Sequence, residues 1–567
     1  MAEAQFIQVI LPLKLDWEPY YRVPEGLEIK VGSRVRVVFA NAFYVGCVSE
    51  VGITPTLDPG KILPVEGLEE SLPSVTPEEI RFWRQLALYY LCTVGEVYKV
   101  AYPSATNHKS RLAIPESVPP KGDIQLTAAQ QKAAESIQKA FQLGKTVLLK
   151  GVSGSGKTEI AFKLALDMLK AGKSALILTP ETQSNEERLK ALHPSALIYN
   201  SNLSAARRKQ VAEKLRTGEP CLVLGTRAAL FLPFHSLGLI VVDSEHDSFY
   251  KQDAPAPRYH ARESAIMLAG VHGANVLLSS ATPSLESEYN ALCKRFEKVE
   301  LNERYNKGRQ ADVEIIDTGA EWRKRGMAGN FSFKLIDHIK ETLAAGGQVL
   351  LLGPRRAFAQ GRKMEEEALE YFPHARIAIL DMGPVDGEYD IYIGTALATR
   401  SFTCEKLKLV ALVIGDSILA RQDFRADEHA IQVLEQFRSR CERFVIQTRE
   451  PKHSVFSHLN GDYTADMLQE RQIAGYPPYT RMVKVQVKDK NEARRNYLAK
   501  ELGAALGQQG LKLEGPYSPE QETSELRILL NRDKTLVQKK AAMVQTITAF
   551  EQSRKYTGHI VTDVDPV

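Results

Sequence analysis

Short apolar segments alternate with longer helical stretches from Leu126 to about residue 460. Strands that alternate with helices in this way are typical of a parallel sheet covered by helices. A second series of apolar segments begins at Gln348, so the pattern predicts an α/β fold with two lobes in tandem. The strands are expected at 147–149, 175–178, 196–199, 221–224, 239–242 and 276–278, and then at 348–353, 376–380, 390–393, 409–414 and 444–447.

The segments that flank the lobes follow other patterns. Residues 31–38 alternate apolar with polar or basic side chains, 44–51 are apolar and β-branched, and 80–92 have helical apolar spacing. The stretch after residue 103 is rich in Pro, Ser, Lys and Gly, as linkers are. The predicted domains are a β-rich domain at 1–103, a linker at 104–124, lobe 1 at 125–310, lobe 2 at 311–460 and an α+β domain at 461–567.

The composition indicates a folded chain of several domains. Its 567 residues correspond to three or four domains at about 150 residues each. A hydrophobic share of 44% and a charged share of 25% are globular averages, which excludes a disordered or collagen-like chain. The 73 Lys and Arg against 69 Asp and Glu permit a polyanionic partner without requiring one.

The sequence argues against a membrane or secreted protein and against sites built from cysteines. No run approaches the roughly 18 apolar residues of a membrane span, and the N-terminus lacks a signal peptide pattern, so we expect a cytoplasmic protein without a membrane partner. The cysteines are dispersed, without a C-x-x-C pair or a histidine at ligand spacing, so no zinc ligands and no disulfide framework are expected. They are Cys47, Cys92, Cys221, Cys293, Cys404 and Cys441.

A phosphate-binding motif directly follows the first predicted strand of lobe 1. Residues 151–158 read G-x-x-x-x-G-K-T, with Gly151, Gly154 and Gly156 leaving backbone N–H groups room to wrap a phosphate. Lys157 would pair with the β and γ oxygens, and Thr158 would offer its hydroxyl to Mg²⁺. The motif therefore predicts an ATP site with Mg²⁺.

Further polar positions complete this predicted site. Asp243 ends a strand 86 residues after Lys157, counted as 243 − 157, where a carboxylate would hold Mg²⁺. The segment 279–283 (SSATP) ends another strand and is placed to couple nucleotide state to lobe closure. Gln130 precedes the motif on a predicted helix and is placed to contact an adenine edge.

Taken together, these motifs resemble the PriA family, the replication-restart helicases (primosomal protein N′) of helicase superfamily two. The resemblance extends over nearly the whole chain, and its blocks at 258–262 and 423–426 are distinctive of this family. The matching segments are GVSGSGKTE at 151–159, TPE at 179–181, GTRAAL at 225–230, DSEHDSFYKQ at 243–252, RYHAR at 258–262, SSATPS at 279–284, GT at 394–395, Asp416, DFRA at 423–426 with Glu428, GYPP at 475–478 and DVDP at 563–566.

The resemblance implies two RecA-like P-loop lobes and a 3′-to-5′ DNA helicase driven by ATP. Its partners would be forked and single-stranded DNA and the proteins of the primosome or replication machinery. The implied catalytic residues are Lys157, Asp243, Glu245, His246, Arg440 and Arg443. The implied DNA contacts are Arg34, Arg36, Lys61, Arg227, Lys251 and Arg258.

Departures from the family pattern leave a second function open. The family has a glutamate that orients the attacking water where this chain has Ser244, and alternation turns Glu245 away from that direction. The family's arginine finger is accompanied by glycines, and these are missing around Arg440 and Arg443. The alternative interpretation of both arginines is that they are solvated surface charges. The alternative is therefore a fork-binding scaffold or nucleotide switch that hydrolyses ATP poorly; a P-loop enzyme unrelated to nucleic acid is a third reading.

Whole modules of the family also differ. The stretch 355–367 has no cysteine, so the zinc element that the family inserts into lobe 2 is expected to be absent. The linker is too short for the family's winged helix. Pro19 and Tyr20 stand where the family has a Phe-Asp pair that receives a DNA 3′ end, so that pocket is expected to be altered.

Overall fold

A computed structural model describes residues 5–102, 124–305, 311–354, 357–382, 385, 387–396, 398, 399, 402, 404, 406–420, 423–459, 461–553 and 559–567. Except for Ile124, the predicted linker at 104–124 lies outside the described residues, as do positions 355 and 356. The domain boundaries stay predictions.

The N-terminal part forms an antiparallel sheet in the order β2-β1-β4-β3-β5, packed against two helices. Ala40 and Asn41 both have positive φ and make the predicted turn between β3 and β4. Thr76 and Glu79 form a capping box at the start of α1, with Pro77 in its first turn. The elements are β1 (Phe6–Ile10), β2 (Tyr20–Arg22), β3 (Arg34–Phe39), β4 (Ala42–Val51), a 3₁₀ turn (Pro59–Lys61), β5 (Gly67–Leu68), α1 (Pro77–Tyr90) and α2 (Val94–Ala101).

Lobe 1 is a parallel sheet in the order β12-β6-β11-β10-β7-β9-β8, with helices on both faces. All strands predicted for the first series are confirmed. Its elements are α3 (Ala128–Gln142), β6 (Thr146–Gly151), α4 (Lys157–Lys170), β7 (Ser174–Leu178), α5 (Gln183–Leu192), β8 (Leu197–Tyr199), α6 (Ala205–Arg216), β9 (Leu222–Gly225), a 3₁₀ turn (Arg227–Phe231), β10 (Leu237–Asp243), a 3₁₀ turn (Ser248–Tyr250), α7 (Ala261–His272), β11 (Asn275–Ser280), α8 (Leu285–Leu292) and β12 (Phe296–Leu301).

Lobe 2 repeats this plan with a parallel sheet in the order β13-β20-β19-β16-β18-β17. The strands predicted for the second series are confirmed as well. Its elements are β13 (Asp312–Asp317), α9 (Thr318–Arg325), β14 (Met327–Ala328), β15 (Phe331–Ser332), α10 (Phe333–Ala344), β16 (Gln348–Gly353), α11 (Ala357–Tyr371), β17 (Ile377–Ile379), a 3₁₀ turn (Leu380–Met382), β18 (Ile391–Thr395), β19 (Leu407–Leu412), α12 (Asp416–Leu419), α13 (Ala426–Arg438) and β20 (Arg443–Thr448).

The C-terminal part is an antiparallel sheet in the order β22-β23-β21-β24, with two helices against one face in a β-α-β-β-α-β arrangement. Its elements are α14 (Ser454–His458), α15 (Thr464–Ala474), β21 (Thr480–Lys488), α16 (Glu492–Gln508), β22 (Lys512–Glu520), β23 (Thr523–Asn531), α17 (Leu536–Gln552) and β24 (His559–Val564). The fold is thus α/β, with two RecA-like lobes between a small N-terminal β domain and a C-terminal α+β domain, as predicted.

A shared core joins three of these parts. Buried aromatic side chains of α1, including Trp83 and Tyr90, meet Tyr250 and Tyr259 of lobe 1, and Val483 of β21 belongs to the same cluster. Burial of aromatic side chains is the largest favourable term available to such a contact. The N-terminal domain and the C-terminal sheet are therefore fixed against lobe 1 beside the loop that follows β10.

Candidate nucleotide site and DNA contacts

A cleft of about 1140 Å³ opens between lobe 1 and lobe 2 and is called the nucleotide cleft below. Lobe 1 contributes the loop between β6 and α4 and the end of β10. Lobe 2 contributes α13 and the residues just after it, and residues 458, 459 and 461–463 line one side. The predicted residues Gln130, Lys157, Thr158, Asp243, His246 and Arg440 all line this cleft.

The phosphate-binding loop has the backbone that its glycines predict. Gly154 and Gly156 both have positive φ, and a Cβ at Gly156 would collide with Nε2 of Gln130. Lys157 Nζ donates to the carbonyl oxygens of Gly151 and Val152, at 2.7 and 3.1 Å. Burial lowers the pKa of Lys157 to about 8, and the nearby carboxylate of Asp243 opposes that shift.

The acidic strand end lies opposite this loop. Asp243 ends β10 and pairs in register with Ser279 of β11, whose hydroxyl donates to Asp243 Oδ1 at 2.9 Å. Burial raises the pKa of Asp243, against the hydrogen bond from Ser279 and the charge of Lys157. His246 is hydrogen-bonded to Ser280 at 2.7 Å, which joins this turn to the SSATP segment. The carboxylate and the Thr158 hydroxyl face one cleft and are the oxygen ligands that Mg²⁺ prefers.

Glu245 is a correction, because the structure places it outside the cleft. Its side chain is 0% exposed, and Oε2 accepts from Arg262 Nη1 at 2.8 Å and from Ser287 at 2.9 Å, while Oε1 accepts from the Ser284 N–H at 2.7 Å. Both carboxylate oxygens therefore accept hydrogen bonds from the body of lobe 1, and this conformation does not bring Glu245 to the nucleotide. Ser244 lines the cleft instead, with φ at 51°.

The backbone holds both ends of the Gln130 carboxamide. Its Oε1 accepts from the Thr127 N–H in a capping box, and its Nε2 donates to the Ser155 carbonyl, both at 2.9 Å. One lone pair and one N–H of the carboxamide remain beyond these two bonds. Gln130 therefore supports the phosphate-binding loop, and its contact with an adenine edge stays a prediction.

The two candidate finger arginines separate in the structure. Arg440 lines the cleft and donates to the Thr399 carbonyl at 2.8 Å. Arg443 begins β20 and donates to Glu341 Oε2 at 3.1 Å on the exterior of lobe 2, so the structure does not bring it to the nucleotide cleft. Arg438, which was not among the predicted site residues, also lines the cleft and donates to the Ala311 carbonyl at 2.9 Å. Its position in the last turn of α13, two residues before Arg440, is the sequence feature that could have predicted a place in the cleft.

The predicted DNA contacts divide into exposed and buried side chains. Arg36 is 53% exposed beside Glu69, and Lys61 is exposed at the end of a 3₁₀ turn. Arg227 is half-buried and donates to the Phe249 and Lys251 carbonyls. Arg36 and Lys61 are therefore the positions best presented to a phosphate.

Intramolecular partners engage Arg34, Lys251 and Arg258, so the structure does not present these three cations to DNA, and their DNA contacts stay predictions. The Arg34 guanidinium is buried, donates to Tyr98 Oη at 2.6 Å and lies 3.8 Å from the Tyr102 ring centroid. Lys251 Nζ is buried between Asp563 and the Val564 carbonyl, each at 2.7 Å. Arg258 is half-buried and reaches the Thr562 carbonyl at 3.4 Å. These cations hold the N-terminal domain and β24 in place.

Three further predictions concern absent or altered features. In the part of the chain that the structure describes, no three His, Cys, Asp or Glu side chains converge to hold a metal ion. No described helix is long and apolar enough to cross a membrane. Tyr20 lies half-buried in β2 beside Tyr21, whose hydroxyl donates to the Val38 carbonyl at 3.0 Å.

Comparison with known proteins gives matches along most of the chain. Residues 8–103 match the 3′DNA-binding domain (3′BD) family, and residues 127–291 match the DEAD/DEAH box helicase family. Replication restart protein PriA of Rickettsia felis is 28% identical over 90% of this chain and 91% of its own length. The protein of the same name from Haemophilus influenzae is 30% identical over 78% of this chain and 72% of its own length.

Among solved structures, Mycobacterium smegmatis helicase Lhr bound to ssDNA and AMP-PNP is similar at 15% identity, with a TM-score of 0.40. The match covers 74% of this chain and 62% of that chain.

Proposed function

Because the chain belongs to the PriA family of replication restart proteins, we propose that it binds ATP with Mg²⁺ and binds branched or stalled replication-fork DNA. The proteins of the primosome would be its partners at the fork. Its nucleotide cycle is slow, so that the chain acts mainly as a nucleotide switch that holds fork DNA.

ATP binding is supported by three groups on one wall of the nucleotide cleft. Lys157 Nζ already contacts carbonyl oxygens of the phosphate-binding loop and is placed to move onto phosphate oxygens. Thr158 and Asp243 would hold Mg²⁺, which when bound neutralises charge on the β and γ phosphates. Backbone N–H groups at the start of α4 add a positive helix end.

The observation that carries slow turnover is the turn after β10. Position 244 in this turn carries a serine hydroxyl instead of a carboxylate. The carboxylate of Glu245 accepts hydrogen bonds from Arg262 and Ser284 in the core of lobe 1. Other acidic side chains of the cleft are also engaged, since Glu159 pairs with Arg188 and Glu435 pairs with Arg438. A water in line with the γ-phosphate would therefore lack the positioned base that typically contributes 10²–10⁴-fold to the rate.

An ATP-driven 3′-to-5′ helicase is the second candidate. It is favoured by Arg440, which lines the cleft from lobe 2 where a γ-phosphate could be contacted from the opposite side. The hydrogen bond between His246 and Ser280 also keeps the acidic turn joined to the SSATP segment, as a coupled motor requires. These groups do not replace the missing carboxylate.

The decisive experiment measures ATP binding and DNA-stimulated phosphate release on the same preparation. We expect the wild type to bind ATP and a forked DNA, with Lys157→Ala losing ATP but keeping DNA. Turnover with saturating fork DNA should stay below about 0.1 per second, against the 1–10³ per second of typical enzymes. A rate of several turnovers per second would favour the helicase over the nucleotide switch. If the wild type bound neither ATP nor fork DNA, both candidate functions would be rejected.

A further inference from the structure

Four charged side chains form a buried cluster between lobe 1, lobe 2 and α15. This interlobe charge cluster consists of Glu286 on α8, Arg425 and Glu428 at the start of α13, and Arg471 on α15. Arg425 Nη1 donates to Glu286 Oε1 at 2.5 Å, and Arg471 Nη2 donates to Glu428 Oε2 at 2.5 Å. Arg471 also approaches Glu286 at 3.6 Å, so both arginines contact this carboxylate of lobe 1.

The first turn of α8 ties this cluster to the nucleotide cleft. Ser284 caps α8 and contacts Glu245 through its N–H and its hydroxyl, and Glu245 directly follows Ser244. The next residue, Leu285, donates its N–H to Glu428 Oε1 of lobe 2 at 2.9 Å. A displacement of the turn after β10 would therefore move Ser284, and with it the start of α8.

The cluster continues to the C-terminal part through an aromatic pair. Phe424 stacks on Tyr476, with ring centroids 5.0 Å apart and planes 14° apart. The guanidinium groups of Arg425 and Arg471 lie 4.7 and 5.0 Å from the Phe424 centroid. Tyr476 precedes β21, so one contiguous set of contacts runs from lobe 1 to the C-terminal sheet.

We propose that Glu286 is a positioning residue through which the nucleotide in the cleft changes the affinity for fork DNA, by setting the position of lobe 2 and α15 against lobe 1. The inference rests on the proposed function, since it needs both ligands to bind. Buried charged hydrogen bonds have a narrow permitted geometry and cannot be replaced by water without a large penalty. Lobe 2 and α15 therefore follow the start of α8 as it moves, and Glu286 is the lobe 1 carboxylate that both arginines contact.

Glu288 provides a matched control on the same helix. It is also a buried glutamate with two cationic partners, Lys150 at 2.9 Å and Lys298 at 3.0 Å. Both partners belong to strands of lobe 1, so Glu288→Gln removes a buried ion pair without touching the interface between the lobes.

The test measures the affinity for a forked DNA with and without AMP-PNP in the wild type, Glu286→Gln and Glu288→Gln. We expect AMP-PNP to change wild-type DNA affinity by about 5- to 150-fold, the usual range of coupling between sites. Glu286→Gln should bind each ligand alone within about twofold of wild type but lose the coupling, to less than twofold. Glu288→Gln should keep the wild-type factor.

Retained coupling in folded Glu286→Gln, an equal loss in Glu288→Gln, or no coupling in a wild type that binds both ligands would each overturn the inference. A wild type that fails to bind ATP or DNA would instead reject the proposed function. If circular dichroism shows Glu286→Gln to be unfolded, Glu286→Asp keeps the charge but shortens the reach to Arg425. That variant should reduce the coupling at least threefold, and unchanged coupling there counts against the role of Glu286.

Discussion

At the residue scale, the turn after β10 holds two neighbours with opposite environments. Ser244 faces the cleft with φ at 51°, whereas Glu245 is enclosed by Arg262, Ser284 and Ser287. The positive φ of Ser244 ends the extended backbone of β10 between these two side chains. A substitution of Ser244 should therefore affect hydrolysis, whereas a substitution of Glu245 should affect the stability of the fold.

Ser244→Glu should raise DNA-stimulated ATP hydrolysis by about 10- to 100-fold. A carboxylate would then face the cleft and orient water, but the gain should stay below the full range of about 10²–10⁴ because the glycines that accompany the family's arginine finger are missing around Arg440. The rate of phosphate release at saturating ATP and fork DNA measures this hydrolysis. Ser244→Gln has nearly the same size without the charge and should stay at the wild-type rate; a rise there equal to that of the glutamate variant would contradict the mechanism.

Glu245→Gln should destabilise the fold by about 3 kcal/mol, because it leaves Arg262 buried with one carboxylate fewer. ATP affinity should stay within about twofold of wild type. The free energy of unfolding in urea provides the measurement. The control is Glu341→Gln, which breaks an exposed pair with Arg443 and should change stability by no more than about 0.5 kcal/mol. Unchanged stability together with lost hydrolysis would restore a catalytic role for Glu245.

The predicted DNA contacts that lie buried in the fold show what a sequence pattern leaves out at this scale. Arg34 and Lys251 lie among basic and aromatic residues, as phosphate-binding residues do, yet their partners Tyr102 and Asp563 are distant in sequence. The pattern identifies a cation but cannot say whether a distant side chain will meet it. The positions of three cleft residues were easier to predict, because a strand-loop-helix segment positions Lys157 and Thr158, and the central strand β10 positions Asp243.

At the element scale, the strands with continuous apolar runs were predictable, and several strands that carry charged residues were not. β12, β13 and β22 were missed, and each carries charged residues within its span. β12 and β13 border their sheets and face solvent on part of their length, so continuous apolar runs are not required there. The buried strands of both lobes show the uninterrupted apolar runs that parallel sheets favour.

The loop between β6 and α4 leads to a prediction about Gly156. Gly156→Ala should lower ATP affinity at least about 30-fold, because the new Cβ collides with Gln130, which itself holds Ser155. Titration with a fluorescent nucleotide measures the loss. Gly144→Ala is the matched control, since Gly144 also has positive φ but nothing lies within 4 Å of an added Cβ. ATP affinity within twofold of wild type is expected for that control, and the same result for Gly156→Ala would contradict the packing argument.

At the scale of the whole molecule, the chain should contain no stoichiometric zinc. A structural zinc site needs about four converging Cys or His ligands, and the cysteines lie in separate parts of the fold, such as Cys47 in β4, Cys221 before β9 and Cys441 before β20. Elemental analysis of protein purified without chelators decides it. Zinc near two ions per chain would show that ligands were overlooked.

Fork binding should depend steeply on salt, because phosphate contacts release condensed counterions from DNA. With Arg34 and Lys251 engaged inside the fold, the exposed cations of the N-terminal domain are expected to account for much of that dependence. Lys61→Ala and Arg36→Ala should each weaken binding and lower the slope of log affinity against log salt by about 1. Fluorescence anisotropy of a labelled fork between 50 and about 200 mM salt gives the slopes. Arg443→Ala removes an equally exposed cation paired with Glu341 on lobe 2 and should leave the slope unchanged; an effect there as large as at Lys61 would mean that the chain's overall charge, rather than contacts of the N-terminal domain, controls binding.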